Sequence, residues 1–198
     1  MRTIASLTVA LAALWAVPAS AQMRGYPGTA SRTAFTVEPY VGYGFYGTLP
    51  GGGPKLGADA AYGVKGSLLL SPQLALTGTF QQSNPRVDEG DRARVQHWSA
   101  GAQFNYAPRQ GAEGIPVVAL EAGVGQVRYD FPVFDAGYGL DGRFKENDVA
   151  ANVGISSGIQ LGRSLAVTYG VNDWISNFEG DRGMVNQVFA RVGAQIRF

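Results

Sequence analysis

One run in this chain has the residue types of a hydrolytic pair. His97 and Ser99 flank Trp98, and an imidazole beside a hydroxyl is the arrangement that lets serine attack an ester while the ring takes its proton. The chain has a single histidine and no cysteine, so disulfide and thiolate chemistry are excluded and this is the one catalytic-looking constellation. A second set is ionic. Glu38, Lys65, Glu121 and Arg191 each stand singly in stretches otherwise apolar or small, and charges placed in an interior are tolerated only as pairs. The Gly51-Gly52-Gly53 run lies between strand patterns with no helix after it, so it is not a phosphate cradle. No metal-ligand cluster is evident and no cofactor is expected.

The elements that must position these residues are strands. Val188, Ala190, Val192, Ala194, Ile196 and Phe198 alternate with Arg191, Gly193, Gln195 and Arg197, the period-2 pattern that puts apolar side chains on one face and polar or small ones on the other. Seven earlier segments share it: Phe35–Tyr46, Ala60–Leu70, Leu74–Gln82, Val95–Ala107, Ile115–Tyr129, Val149–Leu161 and Leu165–Ile175. Their second faces are rich in Gly, Ser, Thr, Gln and Asn, a poor sandwich interior but a good polar lumen. Pro39 removes one ladder donor from the first segment and is expected to mark a bulge.

The amino terminus predicts export. Arg2, an apolar stretch from Ile4 to Val17 and the small-residue site Ala19-Ser20-Ala21 read as a signal peptide over residues 1–21, cleaved before Gln22. Residues 22–33 follow as a flexible periplasmic lead, and residues 34–198 as one barrel domain. No segment supplies the roughly 18 consecutive apolar residues of a transmembrane helix. The formal net charge of +1 and the lack of a basic run argue against a nucleic-acid partner.

Connections between the segments alternate long and short: 47–57, 71–73, 83–94, 108–114, 130–148, 162–164 and 176–184. Short periplasmic turns and long extracellular loops are the habit of transmembrane barrels. The predicted fold class is therefore all-β, an eight-stranded antiparallel up-and-down transmembrane β-barrel in the cell outer membrane. The signal peptide, this rhythm, the opening Tyr40-Val-Gly-Tyr-Gly-Phe45 and the close Gln195-Ile-Arg-Phe198 resemble the outer-membrane β-barrel superfamily that includes the OmpA transmembrane domain and OmpX. The resemblance covers the whole mature chain and is architectural, since this barrel hosts many activities. The chain stops at the eighth strand, so it is expected to lack the peptidoglycan-binding domain that follows the barrel in full-length OmpA relatives.

A barrel of this size is filled by its own side chains, and the lumen is expected to be a packed polar core. Glu38, Lys65, Glu121 and Arg191 fall at similar depth, with Glu38 between Lys65 and Arg191 and Glu121 reaching from the far wall. This lumen cluster reads either as a static plug or, as the OmpA resemblance implies, as a gate over a narrow ion path. The His97–Ser99 pair resembles that of PagL-type lipid A deacylases, which are also eight-stranded barrels. Here Trp98, Ala100, Ala102 and Phe104 set the outward phase and turn His97 and Ser99 into the lumen, and Ala100 stands where the resemblance wants Asn, so no catalysis is expected. Tyr43, Phe45, Tyr62, Phe80, Trp98, Tyr106, Tyr169 and Phe198 are expected to ride at the membrane interfaces. Phe198 is read as the signal recognised by the barrel-assembly machinery. Loop cations Arg86, Arg92, Arg94, Arg143 and Lys145 could pair with lipopolysaccharide, although acids surround them. The expected role is structural, in adhesion or in envelope integrity, through loops that meet a surface partner.

Overall fold

The computed structural model describes residues 35–51, 54–71, 73–87, 91–106, 117–134, 141–161, 164–178 and 183–198. The expected signal peptide, the periplasmic lead and the turn at 108–114 lie outside them. Eight strands, β1 (Phe35–Phe45), β2 (Asp59–Leu69), β3 (Leu74–Ser83), β4 (Arg94–Tyr106), β5 (Val117–Phe134), β6 (Asp141–Gln160), β7 (Leu165–Phe178) and β8 (Gly183–Arg197), each pair antiparallel with their chain neighbours. β8 closes the barrel on β1.

The register fixes the tilt. Phe35 pairs with Leu68, then in turn Leu76, Ala102, Ala122, Val153, Asp173 and Val188 follow, and Val188 returns to β1 at Phe45, ten residues beyond the start. Closing eight strands with such a stagger tilts them roughly 40° from the axis and leaves room inside for side chains alone. Alternation decides which side chains those are. Along β1 the exposed Pro39, Val41, Tyr43 and Phe45 face out and the buried Thr36, Glu38, Tyr40 and Gly44 face in. Leu120, Val124, Ile155, Ile159, Val171, Val192 and Ile196 are exposed on other strands, Val124 to 69%, a belt that suits hydrocarbon and not water.

Three expectations are corrected. Pro39 marks no bulge: β1 keeps one register with β2 throughout, and the ladder to β8 lapses only at Glu38 and Pro39 before resuming in the same register. A missing N–H directed at one neighbour costs a single rung there, without inserting a residue. Residues 130–134 and 141–148 are strand and not loop, because β5 and β6 stay paired out to Phe134 and Asp141. Likewise β7 and β8 run to Phe178 and from Gly183, so the predicted 176–184 loop is much shorter. Strand overhang therefore takes the place of much of two of the four expected long connections, those at 130–148 and 176–184.

The lumen, expected to be a packed polar core, is mainly polar toward the end that carries both described termini and mixed toward the other, where buried His97, Gln187, Asp148 and Ser176 stand among apolar side chains. Toward the other end Val95, Val127, Tyr129, Phe131, Ala150, Trp174, Val185 and Phe189 form one buried apolar cluster. The first two connections at that end are themselves ordered, with Gly47–Thr48, Lys55–Leu56, Arg86–Val87 and Asp91–Arg92 forming a small four-stranded sheet. Its Leu56, with Leu49 and Ala93, joins the same cluster, so this cap is fastened to the plug beneath it by apolar burial.

Candidate functional site

Inward parity places four charges at one depth. Glu38 lies directly across the ladder from Lys65, and their side chains meet at 3.2 Å. Lys65 Nζ also reaches Glu121 at 3.3 Å and donates to Gln103 Oε1 at 3.1 Å. Glu121, on β5, reaches in from the opposite wall, whereas Arg191 stands on β8 beside β1. Its neighbours across the two ladders are Gly42 and Gly170, which have no side chains to occupy the space the guanidinium crosses. It contacts Glu121 at 3.3 Å and Glu38 at 3.5 Å; the Glu38 contact is an ion contact only, since Arg191 Nη1 makes no hydrogen bond.

The result is a closed square in which each acid touches both bases and each base both acids. All four are buried, at 2 to 6% exposure. Alternation around the square satisfies every charge and leaves no net charge, the condition under which an ion cluster can persist away from water. Tyr40 completes the layer, its ring 5.0 Å below or above the Arg191 guanidinium carbon, a cation–π contact. Its hydroxyl donates to Gln81 Oε1 at 3.3 Å.

The next layer is aromatic. His97, fully buried, stands 4.9 Å from the Trp174 ring and 5.1 Å from Phe189. Phe189 meets Tyr46 edge-on at 5.5 Å, and Tyr46 hydrogen-bonds Ser83. Gly44 faces the Phe189 ring so closely that any Cβ there would collide with it. His97 Nε2 and Gln187 Oε1 lie 2.6 Å apart, and Gln187 Nε2 donates to the Tyr129 hydroxyl.

That arrangement answers the hydrolase pattern. His97 and Ser99 do share the inward face, but the imidazole is engaged by Gln187 and packed between two rings, with no hydrogen bond to Ser99. A lipid ester outside the barrel has no access to it. The plug is what the sequence reading missed. Val127, Tyr129, Trp174, Val185 and Phe189 all lie within the expected strands, and extending the inward parity of Glu121, Asn172 and Arg191 along those strands would have found them.

The aromatics expected at the interfaces face outward. Tyr43, Phe45, Tyr62, Phe80, Tyr106, Tyr169 and Phe198 are exposed, and Phe198 lies against Phe35 with ring centroids 6.3 Å apart. Among the loop cations, Arg92 pairs with Asp59 at 3.7 Å, while the Arg143 side chain lies outside the described residues.

No protein-family model and no curated protein matches the chain. Solved structures do. The chain is similar to Neisserial surface protein A, with a TM-score of 0.67 and 9% identity over 84% of this chain and 100% of that one. It is also similar to Ail, the attachment invasion locus protein of Yersinia pestis, in complex with the heparin analogue sucrose octasulfate, at TM-score 0.52 and 14% identity over 83% and 99%. The outer membrane protein OprG of Pseudomonas aeruginosa matches at 0.51 and 10% over 84% and 96%. At such identities the likeness is one of fold, and it agrees with the closed register and the outward apolar belt. The chain thus has the fold of the small eight-stranded outer-membrane β-barrels.

Proposed function

We propose that the protein is an outer-membrane barrel without catalytic activity, serving adhesion or envelope integrity through the surface that its cap and strand overhangs present. The observation that carries this reading is the double closure of the lumen. A neutral, fully paired ion square fills the middle, and Trp174, Phe189, Tyr129 and His97 fill the layer beyond it. With the interior spent on packing, what remains for function is the exterior. The ordered sheet over the mouth supports the same view, because a platform fixed by buried Leu49 and Leu56 loses little entropy when a partner binds it. The Yersinia protein of similar fold is an attachment protein by its name. A gated ion path, the rival reading, would require the square and the aromatic layer to open together.

The test is cell fractionation combined with surface labelling. The chain is expected in the outer membrane, with a lysine-directed membrane-impermeant reagent reaching Lys55 on the cap of intact cells. Cells lacking it should lose attachment or detergent resistance and regain it with the wild-type chain. Recovery in the inner membrane, or labelling only after lysis, overturns the proposal.

A further inference from the structure

The exterior is not uniform above the apolar belt. On the wall formed by β4, β5 and β6, the row containing Trp98, Gln126 and Val149 is followed by Gln96, Arg128 and Asn147, and then by Arg94, Asp130 and Lys145, each row joined across the ladders. All nine positions have outward parity. Arg94 and Lys145 are exposed and Arg128 half-buried, and among the described residues no salt bridge engages any of the three. The opposite wall is different: at the same level β7, β8 and β1 present Ile175, Asn177, Asn186, Met184 and Phe45, with no cation.

Position makes this asymmetry informative. Trp98 belongs to the aromatic level where hydrocarbon gives way to headgroups, and Arg128 and Arg94 stand one and two rows beyond it. Diagonal neighbours on a sheet lie about 7–8 Å apart at Cα, so two arginines and a lysine with flexible stems can converge on one tetrahedral anion or on two close together. Guanidinium forks bind phosphate oxygens in pairs. Beside them, Gln96 donates to Gln82 Oε1 at 2.9 Å and Gln82 donates to the Tyr62 hydroxyl at 2.7 Å, an ordered polar band along the same boundary. Asp130 stands between Arg94 and Lys145 and lowers the local charge, but three cations to one acid leave the wall positive.

We infer that Arg94, Arg128 and Lys145 form a lateral binding site for the phosphates of lipid A, the phosphorylated glycolipid of the outer leaflet, seated on one wall of the barrel. The inference rests on the outer-membrane reading above. It adds to that reading a partner and an orientation, because a site confined to one wall holds the lipid on that side only. The lipid's acyl chains would lie against Trp98, Ala100 and Val124 on the belt below.

The test uses the folded full chain in phosphatidylcholine nanodiscs, titrated with bisphosphorylated lipid A, with dephosphorylated lipid A and with phosphatidylglycerol, bound lipid being read by native mass spectrometry. Bisphosphorylated lipid A is expected to bind best. Each cation near a charged lipid surface contributes roughly fivefold, so R94Q/R128Q/K145Q should weaken binding about a hundredfold. R94K/R128K should keep most of it, and Arg86→Gln, on the cap, should change nothing. These substitutions are at the surface, and an unchanged heat-modifiable band checks that each variant folds. Equal binding by wild type and triple variant, equal binding of dephosphorylated lipid A, or phosphatidylglycerol binding as tightly as lipid A would each overturn the inference. Because nanodisc binding does not depend on where a cell places the chain, failure here is distinct from failure of the localisation reading, which fractionation reports.

Discussion

Removing Glu38 should expose the logic of the ion square. In Glu38→Ala, Lys65 and Arg191 keep only Glu121 between them, at 3.3 Å from each, and the layer carries one uncompensated positive charge. Breaking a buried pair in this way costs about 3–5 kcal/mol. The lower end applies, since Glu121 still touches both bases, and with a urea dependence of about 2 kcal/mol/M the midpoint falls by roughly 1.5 M. Lys65→Ala should cost about the same with the opposite sign of excess charge. The double variants discriminate. Glu38→Ala with Lys65→Ala removes one edge and leaves a neutral Glu121–Arg191 pair, so its loss should be smaller than the sum of the singles by about 1–3 kcal/mol. Glu38→Ala with Glu121→Ala removes a diagonal and leaves two bases with no acid, so its loss should exceed that sum. Exchanging one edge, Glu38→Lys with Lys65→Glu, sets like charges along both adjoining edges and should recover nothing. Urea titration of tryptophan fluorescence in lipid vesicles measures all of these. Edge and diagonal doubles with the same midpoint would refute the square.

Three further outcomes follow. Deleting Phe198, exposed at the end of the outward face, should reduce the heat-modifiable folded form recovered from the outer membrane, and an unchanged yield removes it as an assembly signal. His97→Ala should leave lipid A acylation unaltered by mass spectrometry; an acyl chain missing in wild-type cells and present in the mutant would establish hydrolysis. Trp174→Ala, which empties the largest fully buried side chain among the described residues, should destabilise the barrel by about 3–5 kcal/mol, whereas a loss under about 1 kcal/mol would mean that the plug is not packed.

The ion square was legible because it needs only parity and strand order. Glu38 and Lys65 belong to consecutive segments, and closure makes Arg191 a neighbour of β1, so depth counted from the strand ends was enough. The aromatic plug was not, for a local reason. Asp130, Lys145 and Glu146 make 130–148 look like solvent-exposed loop and hide Phe131, while Tyr129, Trp174 and Phe189 lie within expected strands whose inward faces otherwise carry Gly, Thr, Asn and Arg, so parity alone does not show that they pack together. The cap was illegible for another reason: the pairing of Leu56 with Val87 joins two separate connections, and two-residue strands carry no period. Pro39 misled because a missing donor reads the same in sequence whether it bends the strand or leaves one rung unmade. The cationic wall escaped because Arg128 was counted inside a strand and Arg94 and Lys145 as loop residues, though register sets them on adjoining rows.

The central claim is that this barrel is closed along its axis, and single-channel recording across a planar bilayer addresses it most directly. With the folded full chain inserted, the account predicts a silent membrane at either polarity, whereas discrete, voltage-dependent openings that persist after repurification would contradict it.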